Sequence, residues 1–210
     1  MARFLKSIFS SPPALAVMRW FDSEAAVASI PTEDSKKVDW VRIVPLIFLH
    51  LMCLGVIWVG WSWTAVTVAL VLYLVRMFAI TGFYHRYFSH KSFKTNRFWQ
   101  FVFGVVGNAS VQRGPLWWAS HHRHHHRFTD QEQDVHSPSR HGFWWSHIGW
   151  LTAMSNFPTK YRFVAEWARF PELRWLNRFD TVVPVLLASA LYIFGTLLER
   201  FAPHLGTNGM

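Results

Sequence analysis

The feature that most limits what this chain can fold into is a gap in its charges. No Asp, Glu, Lys or Arg lies between Arg42 and Arg76, an interval of 33 residues. Extending it to Tyr84 gives 42 residues with the single charge of Arg76. One helix of that length would measure about 63 Å, roughly twice the hydrocarbon core of a bilayer. Two antiparallel spans fit better, at about 43–60 and 64–84. They turn near Gly60-Trp61-Ser62-Trp63, whose Trp pair suits the membrane interface. Thr181–Leu198 is a further charge-free run of 18 residues, with Pro184 near its start, where a helix tolerates proline. Charged residues are only 16% of the chain, against about 25% in soluble domains. The expectation is an all-α integral membrane protein with three spans.

Charge placement suggests a topology. Of 21 Lys and Arg, six lie in residues 1–42 and 13 between His85 and Arg178. Two spans separate these segments, so both fall on one side, which the positive-inside rule makes cytoplasmic. The chain then divides into a cytosolic N-terminal arm (1–40), a transmembrane hairpin (41–84), a cytosolic cap (85–178), a third transmembrane helix (179–199) and a short tail (200–210). Within the cap, Phe98–Gln112 is apolar but too short to span and is weakened by Gly104, Gly107 and Asn108, so an interfacial or re-entrant segment at 98–112 is expected. The apolar run of the arm is broken by Ser10-Ser11-Pro12-Pro13, which argues against a secretory signal and for a mobile or surface-lying amphipathic segment. The net charge of +9 reads as topology and lipid contact; the cations form no compact stripe, and no nucleic-acid partner is expected.

The chemistry sits in the histidines. Cys53 is the lone cysteine, which excludes an intramolecular disulfide and any Cys-based zinc or iron–sulfur site. Twelve His remain, bunched as His85-Arg86-Tyr87-Phe88-Ser89-His90 and His121-His122-Arg123-His124-His125-His126. No Asp or Glu lies between Asp39 and Asp130, so these clusters lack carboxylates of their own. Imidazole ligation suits Fe, Zn, Cu or Ni. Helical spacing allows His122, His125 and His126 to converge, and equally His121, His124 and His125. His85 and His90, five apart, share no face of a regular helix and converge only where the helix ends or unwinds. His136, His141 and His147 follow closely enough to be ligands, supporting donors or headgroup contacts. His50, alone in the first span, and His204 read as structural.

These residues resemble a known family. Thr81-Gly82-Phe83-Tyr84-His85-Arg86-Tyr87-Phe88-Ser89-His90 is similar to the first histidine box, HxxxxH, of membrane-bound acyl-CoA desaturases of the stearoyl-CoA, delta-9 type. His122-Arg123-His124-His125-His126 resembles the second box, HRxHH, and Ser146-His147-Ile148-Gly149-Trp150 the stretch after it. The resemblance runs from about residue 41 to 210. It implies His85, His90, His122, His125 and His126 as iron ligands, with His121 and His124 as neighbours and Trp118 where the family also has Trp. It implies two iron ions, molecular oxygen as co-substrate, and oxidative insertion of a cis double bond into a long-chain acyl-CoA, oxygen being reduced to water. Electrons would come from a redox carrier (cytochrome b5-like, ferredoxin or rubredoxin) fed by an NAD(P)H-dependent reductase. Arg113, Arg140, Lys160 and Arg162 are candidate headgroup contacts.

The family continues through a fourth span and a third box, HNxHH, and this sequence ends at Gly206-Thr207-Asn208-Gly209-Met210. The expectation is therefore a truncated or partial chain, inactive alone and short of ligands for two irons. Two rival readings are a related histidine-box hydroxylase or monooxygenase, and a non-catalytic membrane metal binder; the latter would want more polar groups in its spans than His50 and Arg76.

Overall fold

In a computed structural model, which describes residues 12–25 and 36–209, the chain is helical and no strand forms among the described residues. Three helices are long and apolar enough to cross a membrane: Trp40–Val59, Trp63–Ser89 and Val182–Phe201. Helix α1 (Pro12–Phe21) precedes them, and α2 and α3 are the first two long helices. Asp39 caps α2 by accepting the Arg42 backbone N–H, and its carboxylate pairs with the Arg42 guanidinium at 2.6 Å. Gly60, with φ of +80°, breaks the chain between the two helices, and Ser62 caps α3 by accepting the Ala65 N–H. Trp61 and Trp63 meet edge to face at this turn.

The helix of the expected second span does not stop at Tyr84. It continues to Ser89, and from Ala79 onward its turns widen from α to π geometry. A π turn closes N–H to C=O bonds five residues apart. Here the His90 N–H donates to the His85 carbonyl at 3.0 Å, so the spacing of the two histidines is the spacing of that hydrogen bond. The expected unwinding between them is thus a widening that carries both imidazoles to one side.

The stretch expected at the interface is a true helix, α4 (Arg97–Asn108), capped by Asn96. Its inward face is Gln100, Gly104, Gly107 and Asn108, while Phe98 and Trp99 are exposed. Gly107 is needed for close approach, because a Cβ there would fall 2.1 Å from the Tyr84 ring. Of the glycines that weaken the helix locally, Gly107 lets it pack against α3, and Gly104 faces Leu173 and Leu176.

Helix α5 (Pro115–Phe128) carries the second histidine cluster and packs on the π segment of α3. Their shared core is Tyr84, Tyr87, Phe88, Leu116, Ala119, Val164 and Leu173. Arg123 ties the two together: its guanidinium donates to the carbonyls of Ser89, Phe88 and Phe163 and pairs with Glu166 at 2.6 Å. Short helical turns fill 138–168, then α6 (Pro171–Arg178) closes the cap and α7 (Val182–Phe201) is the third long helix.

The described helical part of the N-terminal arm lies on the surface and is tethered there by specific contacts. Trp20 donates its indole N–H to the Val41 carbonyl, Asp22 pairs with Arg178 at 2.7 Å, Ser23 donates to Asp180, and Tyr161 hydrogen-bonds Glu24. These contacts strap α1 across the junction of α2 and the cap.

Candidate metal centre

Four of the five family-matched histidines come together. The ring nitrogens of His85 and His90, from the π segment, and of His122 and His126, from α5, lie within 4.8 Å of one another. His122 Nε2 is 3.1 Å from His90 Nε2 and 3.1 Å from His126 Nε2. Hydrogen bonding alone accounts poorly for this crowding, since one Nε2 holds either one proton or one lone pair. A shared cation accounts for it: ligand nitrogens at about 2.0–2.1 Å from one ion sit ~3.0–3.4 Å apart. The donor set therefore fits an iron ion. Trp118 stacks on His122, with ring centroids 4.8 Å apart, and limits its rotation.

Electrostatics favours the neutral, ligating form of His122 and His90. Burial, then the neighbouring His126, His85 and His90, pull His122 down to about 3. Burial and the same crowd lower His90 as well.

His125 stands apart from that quartet. Its Nδ1 lies 3.0 Å from both carboxylate oxygens of Asp134, and its ring stacks on His136 with centroids 4.2 Å apart. His125, Asp134 and His136 form a second group whose donor atoms lie within 4.8 Å of one another. The clusters have no acid within them, but the fold supplies one from nine residues on. Asp134 is fully buried and also accepts the backbone N–H groups of Asp130 and His136. Sequence reasoning missed it; the available signal was an acid two residues before His136.

The other candidates are placed elsewhere. His121 is buried against Trp117 and directs Nε2 to the Pro158 carbonyl, with its pKa held well down by burial and Lys160. His124 points toward Phe128 and Phe163, lowered to about 4 by burial, Lys160 and Arg162. His141 donates to the Asp134 carbonyl and so braces that loop. His147 stacks on Phe143.

A family model for fatty acid desaturases matches residues 61–205. The chain belongs to the fatty acid desaturase family. It is 36% identical over 204 residues to an acyl-CoA 5-desaturase of Anemone leveillei, covering 87% of this chain and 61% of that protein. It is 34% identical over 170 residues to an sn-1 stearoyl-lipid 9-desaturase of Anabaena variabilis, covering 80% and 62%. With the delta-9 acyl-lipid desaturase 1 of Arabidopsis thaliana it shares 40% identity over 116 residues, 55% and 37%. The chain thus spans about three fifths or less of the length of these relatives. They are named for both acyl-CoA and acyl-lipid desaturation, so the family is wider than the acyl-CoA delta-9 type.

Beside the histidines of this desaturase family member lies a cavity of about 770 Å³, within the ~300–1,000 Å³ usual for small-molecule sites. His122, His136 and Trp118 line one side; Pro45, Leu46, Leu49 and His50 of α2 extend it along the span, and α1 roofs it with Arg19 and Trp20. His147 and Arg113 also line it, whereas Arg140, Lys160 and Arg162 do not.

Proposed function

We propose that this chain forms the iron- and acyl-binding part of a fatty acid desaturase, with the acyl chain lying in the cavity beside His122. The observation that carries the reading is the quartet His85, His90, His122 and His126, whose His122 lines a largely apolar cavity. In this reading the quartet holds one iron, and His125, its Nδ1 proton fixed on Asp134, offers Nε2 to a second. The iron pair with oxygen supplies the oxidising power for removing two hydrogens from an unactivated methylene pair, which no side-chain base can do. The protein's own share is positional. Leu46, Leu49 and Trp118 hold the chain, Arg19 and Trp20 of α1 cover part of the cavity, and Arg123 keeps the two histidine segments in register.

The N-terminus and the cap are cytoplasmic in this proposal, supported by the distribution of Lys and Arg. Electrons come from a small redox carrier and its NAD(P)H-dependent reductase. Desaturation is favoured over hydroxylation by the family match and the relatives' names, and both acyl-CoA and acyl-lipid substrates stay open to assay.

The test is iron content together with photocrosslinking by a diazirine-bearing stearoyl probe. Expected are bound iron that is lost in His122→Ala and His126→Ala, and crosslinks at Leu46, Leu49 or Trp118. Iron retained in both variants, or crosslinks confined to the outer faces of the long helices, would overturn the reading.

A further inference from the structure

A proline in the first long helix leaves a backbone carbonyl without its usual donor, and α1 takes it. Pro45 is the sixth residue of α2, past the first turn, where a helix tolerates proline. Regular helical bonding has already begun at that point, since the Ile43 N–H reaches the Asp39 carbonyl at 3.0 Å. In the same register residue 45 would donate to the Val41 carbonyl, but proline has no N–H. The Trp20 indole N–H stands in for it, donating to the Val41 carbonyl at 2.6 Å. An unpaired carbonyl on an apolar helix is costly. The proline therefore opens an acceptor on the span and favours the docking of the arm that fills it.

This bond lies at the cavity. Trp20 and Pro45 both line it, next to Leu46 and Leu49. The other ties of the arm follow α1 in the chain and run to the cap. The Ser23 N–H donates to the Arg178 carbonyl at 2.8 Å, the Ser23 hydroxyl donates to Asp180, Asp22 pairs with Arg178, and Tyr161 hydrogen-bonds Glu24. Residues 22–24 are thus anchored on the cap, while Trp20 fastens the helix to the span. The anchor is a set of polar bonds. The fastening is one neutral hydrogen bond from an indole that is 38% exposed, so it opens without unpacking a core.

We propose that Pro45 is a positioning residue that latches Trp20 over the cavity, making α1 a strap that lifts about its anchor at 22–24 when an acyl chain passes on that side. The latch slows exchange of the chain and takes no part in the chemistry. Val17, Met18 and Phe21, exposed on α1, suit the lifted helix to a membrane surface. The proposal rests on the reading that the cavity holds an acyl chain.

Two measurements on the 210-residue chain in maltoside micelles test it. In protein carrying nitrogen-labelled tryptophan, the indole N–H resonance that vanishes in Trp20→Phe belongs to Trp20. Pro45→Ala returns an N–H to α2, and that resonance should then move upfield as its bond to Val41 is given up. The second measurement is the dissociation rate of tritiated stearoyl-CoA chased with unlabelled ligand. Trp20→Phe and Pro45→Ala should each quicken it about two- to tenfold, the range for loss of one net hydrogen bond. Both variants remove the same bond, so the double variant should be no faster than the quicker single one. An indole resonance that stays in place in Pro45→Ala, wild-type rates, or single effects that multiply in the double variant would overturn the latch and leave the acyl cavity standing. Failure of the acyl ligand to bind the wild-type chain would remove the cavity reading and the latch with it.

Discussion

Replacing Asp134 by Asn tests the link between carboxylate and histidine. The two side chains have nearly the same volume, so the change is one of charge and donor pattern. Every contact to Asp134 is a donor: His125 Nδ1 reaches both oxygens, the Asp130 N–H one, and the His136 N–H the other. An amide has one acceptor oxygen, so in either orientation its NH2 faces an N–H in a fully buried place. A hydrogen bond to a charged group contributes ~1.5–3 kcal/mol, and an unpaired buried donor costs about 1–3. A loss of ~2–4 kcal/mol in stability follows. The amide finds partial relief if His125 switches tautomer and accepts from its NH2, the backbone N–H staying opposed, but Nε2 then carries the proton and ceases to be a metal ligand. Loss of such an outer partner usually lowers metal affinity ~10–100-fold. Cobalt titration, followed by its visible absorption, separates the two effects. The expected result is weaker binding of one cobalt equivalent with the other little changed, in protein that still melts cooperatively. Two equivalents bound with wild-type affinity would refute the role given to Asp134.

Arg123→Gln removes a guanidinium that serves three carbonyls and Glu166 across two helices. A loss of ~3–5 kcal/mol is expected, read as a lowered melting temperature; an unchanged melt would show that the core alone holds α3 to α5. Gly107→Ala places a methyl group against Tyr84 and should cost ~1–3 kcal/mol, whereas the same change at the open Gly55 should be neutral or better, so equal melts would contradict the packing described. The metal-free protein should lose stability as pH falls. His122 and His124 titrate at about 3 and about 4 when folded and near 6.5 when unfolded, so the unfolded chain takes up protons first. Their penalty is absent above 6.5 and grows as pH falls toward 4, before most carboxylates protonate. A melting temperature that stays flat between pH 7 and 4 would refute this.

Much of the architecture was legible because the bilayer imposes a length rule that a charge-free run reveals directly. The three long helices needed little more than Arg42, Arg76 and the stretch after Thr181. The quartet was legible only in part. The spacing of His122 and His126 reads from ordinary helix geometry, but that of His85 and His90 depends on π turns, which leave no clear mark in composition. His125 and Asp134 meet because the loop after α5 folds back, a tertiary event invisible to periodicity. The place of α1 was hidden for the same reason. Asp22, Ser23 and Glu24 look like a solvated turn until their partners Arg178, Asp180 and Tyr161 arrive from more than 130 residues away.

The π segment has a consequence for how the first histidine pair tolerates change. Along an ordinary α-helix, side chains five apart point about 140° away from each other, and only those three or four apart face the same way. A protein that kept α geometry there would need its histidines one residue closer to present the same two imidazoles. Straightening the helix without removing that residue would split the pair and rotate everything after it by about 100° about the axis. Asn96, Gly107 and the helix they belong to would then meet a different face of the second span. The extra residue thus acts as a phase shifter. It sets the angle at which the membrane helix hands the chain over to the cap, and the metal site is where that angle is checked.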